Sequence, residues 1–160
     1  MFEFLSRSDS NRAQLALRKL MRHDIREWVL TGGFATEIHI KTRGGDSCLR
    51  PLTDIDFVTR SFENLPHSLR ADYIFRHVHP SDPPGETILQ AIDPVNALRI
   101  DVFRAYGSTA ARAAPIQLEN ATVQLISLED LLARSARLVM DLAQDVPVPS
   151  KYAVAGCSAT

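Results

Sequence analysis

The chain has 160 residues, 45% hydrophobic and 23% charged, a length and apolar share suited to one globular domain. Eighteen basic residues against 19 acidic ones leave a formal net charge of −1, so no bulk field draws the chain to nucleic acid or to an anionic membrane. No apolar run approaches the roughly 18 residues needed to cross a bilayer, Met1–Arg7 does not read as a signal peptide, and Cys48 and Cys157 form no CxxC pair. A disulfide scaffold and a cysteine-based zinc site are thereby excluded, and a reducing cytoplasm is the expected compartment.

In chain order, Asp9 or Ser10 caps a first helix expected over residues 11–27, with Ala13, Leu17, Leu20 and Met21 on one face. Arg18, Arg22 and Arg26 recur along another face, which could touch an RNA backbone but reads first as solvated because Asp24 and Glu27 lie among them. A short strand over 28–30 runs into Thr31-Gly32-Gly33, and a second helix is expected from Phe34 to Lys41. The stretch 42–53, with Gly44, Gly45 and Pro51, reads as a loop. A strand follows over 54–59, then a helical turn over 66–71 and a strand over 73–79. His77 and His79 share a face of that strand, but no third ligand accompanies them, so they read as edge-strand surface.

Pro80 to Gly85 is a turn, and 87–92 and 97–103 read as paired strands joined by Asp93-Pro94-Val95-Asn96. A last strand over 122–126 leads into a helix capped by Ser127, whose buried stripe is expected to be Leu128, Leu131, Leu132, Leu138, Val139 and Leu142. The expected organisation is one domain over 1–146 with a loose tail over 147–160. Helices and strands in this order predict an α+β fold, a mixed β-sheet with helices packed mainly on one face.

Chemistry concentrates in three segments. In Thr53-Asp54-Ile55-Asp56-Phe57-Val58 the period-two alternation of a strand points Asp54 and Asp56 one way and Ile55 and Phe57 toward the core. Two such carboxylates, about 6.5–7 Å apart at Cα, can share a divalent cation. Asp101 repeats the pattern between Ile100 and Val102, and converges on the pair if the two strands are neighbours. Three clustered carboxylates need a neutralising cation, and an oxygen-only donor set favours Mg²⁺ or Mn²⁺. Gly32 and Gly33, between a strand end and a helix start, let the backbone approach an anion such as a triphosphate. In the basic loop that precedes the aspartates, Lys41, Arg43 and Arg50 are candidate phosphate contacts, Arg50 first among them, and Arg99 shares the strand face of Asp101 as a phosphate contact or an ion-pair partner.

The glycine pair Gly32-Gly33, then Asp54-Ile55-Asp56-Phe57, then Ile100-Asp101-Val102 resemble the signature of the nucleotidyltransferase superfamily related to DNA polymerase beta. The segments Gly32 to Ile40 and Arg50 to Phe57 are most similar to small bacterial members of the abortive-infection, toxin–antitoxin and antibiotic-modifying types. The resemblance spans roughly residues 28–140, with Gly33 standing where the family often has Ser. It implies that Asp54, Asp56 and Asp101 hold Mg²⁺ or Mn²⁺, that Asp101 also helps deprotonate an acceptor hydroxyl, and that Gly32, Gly33, Thr31 and Arg50 bind the phosphates. The substrate is then a nucleoside triphosphate, with ATP the default, and the acceptor is an RNA or tRNA end, a partner protein or a small molecule. No membrane partner is implied, while a partner protein or a homo-oligomer stays open. The alternative is a catalytically inert binding module of the same fold, such as one half of a toxin–antitoxin pair.

Overall fold

The computed structural model describes residues 2–46, 51–63, 65–76, 88–118 and 121–143. Contacts within the chain divide it into two units, Met1–Ser127 and Leu128–Thr160. In chain order the first holds α1 (Arg7–Leu20), β1 (Val29–Thr31), α2 (Gly32–Thr42), β2 (Asp54–Thr59), α3 (Leu69–Asp72) and β3 (Ile74–Arg76). It continues with β4 (Ile88–Asp93), β5 (Leu98–Arg104), a 3₁₀ turn (Thr109–Ala111), β6 (Ala114–Leu118) and β7 (Ala121–Leu125). The described part of the second unit is α4 (Leu128–Ala143). Among the described residues the fold is thus α+β, with a seven-stranded mixed sheet and four α-helices.

The strand order is β3-β4-β5-β2-β1-β7-β6. β2 runs parallel to β5 and β1 parallel to β7, while the other neighbours are antiparallel. The register places Leu30 opposite Phe57, Phe57 opposite Val102 and Val102 opposite Leu89, with Ile55, Ile100 and Ala91 in the adjacent row. All seven side chains are buried, so one sheet face is continuously apolar. Each large member contributes roughly 1.5–3 kcal/mol by leaving water. α1 lies on that face: Lys19 Nζ reaches Asp93 Oδ1 at 2.9 Å, and Asp93 sits two residues beyond Ala91 on β4. Phe2 and Phe4 pack edge-on against Phe34 at 5.1 and 5.2 Å, fixing the first residues to α2.

Several boundaries depart from the sequence expectation for local reasons. α1 starts four residues early because Ser6, not Asp9 or Ser10, is its cap; Ser6 Oγ accepts from the Asp9 N–H at 3.1 Å. It stops at Leu20, since the next residues fold into turns that bury His23 and Ile25. His23 is held there by Ser68 Oγ at 2.8 Å and Asp72 Oδ2 at 3.0 Å. Arg26 consequently leaves the helix and pairs with Asp24 at 2.7 Å on the exposed surface, so the arginines form no single stripe. α2 begins at Gly32, two residues before the expected Phe34. β2 occupies its expected residues, and β4 and β5 pair antiparallel as expected.

β6 was not expected. Pro115 lies inside it and most of it is exposed, as suits the outermost strand of the sheet, where a missing N–H costs no ladder bond. In α4, Leu131 is buried but Leu132 and Val139 are 59% and 65% exposed, contrary to the expected stripe. At 100° per residue, Leu132 and Val139 lie beside the line of Leu131 and Leu138 and not on it. Cys48, His77, His79, the turn over 80–85 and the tail over 147–160 lie outside the described residues. Among the described residues, no helix is long and apolar enough to cross a membrane.

Candidate functional site

The second face of the sheet carries a polar patch that the register assembles. Thr31 lies opposite Asp56, Asp56 opposite Asp101 and Asp101 opposite Gln90, so one row crosses β1, β2, β5 and β4. One pleat away Asp54 lies opposite Arg99. Directly opposed residues point to the same side of a sheet, so all six side chains share one face. The neighbouring strands are β2 and β5, and this parallel pairing brings the three expected acids together. One carboxylate oxygen from each of Asp54, Asp56 and Asp101 lies within 4.8 Å of the others.

Burial differs across the trio. Asp101 is fully buried, whereas Asp54 and Asp56 are half-buried, so the cluster is sealed beneath and open above. An oxygen-only donor set of this size suits a hard divalent cation such as Mg²⁺ or Mn²⁺. Ligand distances of about 2.1 Å bring oxygens to within about 4.2 Å of one another, a small closure from the present spacing. Thr31 Oγ1 is buried in the same row and has no hydrogen-bond partner among the described residues. A buried hydroxyl left in that state is costly, and a ligand oxygen at the patch would satisfy it.

Gly32 is built into the site. Its φ of +68° lies in the left-handed region, and a Cβ there would come within 2.8 Å of Asp56 Cβ and closer still to Asp56 Oδ2. The strand-to-helix turn therefore closes directly over an acid of the trio, which only a residue without a side chain permits. Thr31, the N-cap of α2, makes no side-chain capping bond, so no side chain at the cap satisfies the first N–H groups of the helix. Gly33 lies in that first turn. The backbone dipoles there favour an anion beside the three acids.

Arg99 meets two acids of the trio. Its guanidinium pairs with Asp54 Oδ2, and its Nε lies 3.0 Å from Asp101 Oδ2. Burial pushes the Arg99 pKa down, but the charge of Asp101 and the hydrogen bond and charge of Asp54 outweigh it and hold it above its ordinary value. Of the two roles open to Arg99 from the sequence, the structure displays the ion pair. Arg43 turns back along α2 instead of toward the acids: it donates to His39 Nδ1 at 2.9 Å. His39 Nε2 in turn donates to the Ile126 carbonyl at 2.8 Å, so His39 ties α2 to the end of β7. Arg50 lies outside the described residues.

Gln90 was missed by sequence reasoning. It is buried beside Asp101, on a strand whose alternation gave no sign of chemistry, and only strand pairing reveals it. Thus Thr31, Gly32, Asp54, Asp56 and Asp101 are brought to one spot, joined by Arg99 and Gln90. No protein-family model, no curated protein and no solved structure matches this chain.

Proposed function

We propose that the domain is a nucleotidyltransferase of the polymerase-beta-like type, moving a nucleoside monophosphate from a nucleoside triphosphate to a hydroxyl acceptor. The observation that carries this reading is the single patch in which three oxygen donors meet beside a glycine turn and a helix start. Asp54, Asp56 and Asp101 would hold Mg²⁺ or Mn²⁺, which when bound neutralises phosphate charge and lowers the pKa of a coordinated hydroxyl. Gly32, Gly33 and the start of α2 would receive the β- and γ-phosphates through backbone N–H groups. Asp101, buried at the base of the trio, would accept the proton of the acceptor hydroxyl as its oxygen bonds to the α-phosphorus. The bond from that phosphorus to the bridging oxygen breaks in line, and pyrophosphate leaves with the electron pair. The acceptor classes are an RNA or tRNA end, a partner protein and a small molecule.

The test follows label from four α-labelled nucleoside triphosphates, with Mg²⁺, into RNA, protein and small-molecule fractions. Asp56→Ala should abolish transfer while the protein stays folded. No transfer by the wild type to any fraction would overturn the enzymatic reading. Unfolding of Asp56→Ala would make Asp56 a structural residue.

A second reading is an inert module of the same fold, favoured by the Arg99 bridge across Asp54 and Asp101. It predicts thermal protection by a triphosphate with Mg²⁺ and no release of pyrophosphate. At a hundredfold excess over Kd, protection of about 2.7 kcal/mol is expected from either reading.

A further inference from the structure

Arg99 brings a long cationic side chain to the patch, paired with two of its acids. Asp54, Asp56 and Asp101 sit on the paired strands β2 and β5, whose ladder fixes their backbone. Arg99 is held by the same ladder, between Asp54 on one side and Ile92 on the other, but its side chain is 34% exposed. Its guanidinium spans the gap between Asp54 and Asp101. An ion that touches all three acids must lie in that same gap.

We propose that Arg99 is a resident counter-ion of Asp54 and Asp101, a positioning residue that keeps these two carboxylates together and yields its place to a divalent cation. The inference rests on the metal-binding part of the function proposed above and adds its control: cation entry requires Arg99 to release Asp54 and Asp101 and swing toward solvent. Exchange of this kind lowers metal affinity in the free protein. It also gives a partner or ligand that draws Arg99 outward a way to raise that affinity.

Mn²⁺ titration followed by electron paramagnetic resonance tests this on the full chain, without nucleotide or turnover. Arg99→Gln removes the competing charge and should tighten Mn²⁺ binding on the order of tenfold, the scale of a lost charge-assisted hydrogen bond. Metal-free Arg99→Gln should melt below the wild type, with Mn²⁺ restoring more of its stability than it adds to the wild type. Arg99→Lys, which keeps the charge but cannot bridge two acids with one planar group, should fold and bind with intermediate affinity. Equal or weaker Mn²⁺ binding by Arg99→Gln overturns the proposal, and if that variant does not fold, wild-type affinity in Arg99→Lys does so. Should neither the wild type nor the Arg99 variants bind Mn²⁺, the metal reading itself fails. Loss of binding in Asp56→Asn alone assigns the measured ion to this patch.

Discussion

Gly32 carries two constraints at once, a left-handed backbone and close contact with Asp56. Gly32→Ala is expected to cost about 1–2 kcal/mol for the backbone conformation alone, and the collision with Asp56 adds to it. The same change should displace Asp56 and remove Mn²⁺ binding. Urea denaturation with a parallel metal titration checks both, and wild-type stability in this variant would show that the turn is not confined as described. The residues of the patch were legible in unequal measure. Asp54 and Asp56 announced themselves because strand alternation is a local property: apolar neighbours at 55 and 57 place both acids on the other face. Arg99 stood two residues from Asp101 with two roles open, and the ion pair emerged only when β2 and β5 were seen to be neighbours. Gln90 carried no local signal at all.

At the scale of elements, α1 is clamped to the turn between β4 and β5. Lys19 Nζ donates to Asp93 Oδ1 at 2.9 Å and to the Asp72 carbonyl at 2.7 Å. Asp93 is fully buried and also accepts from the Val95 N–H at 3.0 Å and Asn96 Nδ2 at 2.6 Å. Lys19→Met should therefore destabilise the protein by about 3 kcal/mol, because a buried carboxylate loses its counter-charge. Chemical denaturation measures this, and a loss below about 1 kcal/mol would place the clamp among ordinary surface pairs. The same turn ends at Ala97, whose φ of 49° is unusual for a residue with a side chain. Ala97→Gly is expected to stabilise by about 1 kcal/mol by relieving that strain; a destabilised variant would refute the assignment. Element types were largely readable from periodicity, but their ends were set by contacts distant in sequence. Ser68 and Asp72 draw His23 out of α1, and the position of β6 at the sheet edge excuses Pro115.

For the molecule as a whole, these clamps set the response to acid. Burial raises the Asp93 pKa, but the Lys19 hydrogen bond, the Val95 N–H, the Asn96 amide and the Lys19 charge outweigh it and hold the pKa below the usual 3.8. In Asp9, burial is likewise outweighed, here by the Leu52 N–H, Arg12 and Ser6. A carboxylate with a depressed folded pKa contributes stability above its unfolded pKa and loses it as pH falls through the folded value. The contribution of these two groups should therefore be constant above about pH 5 and decline below about pH 4. Removing Lys19 should shift the Asp93 part of that loss to higher pH. Melting temperatures of the wild type and Lys19→Met from pH 7 to pH 3 check the sign. A contribution that grows on acidification would contradict the assignment.

Alone, the sequence determined the class of the fold, the order of most elements and the candidate site positions Gly32, Asp54, Asp56 and Asp101. These rest on local rules: alternation along a strand, periodicity along a helix, and glycine where the backbone must turn. The tertiary structure decided what those positions are to one another. It placed β5 beside β2 in parallel register, set Thr31, Asp56, Asp101 and Gln90 in one row, and spanned two of the acids with Arg99. Strand order and register depend on which apolar faces bury together across the whole sheet, a balance that no short segment contains.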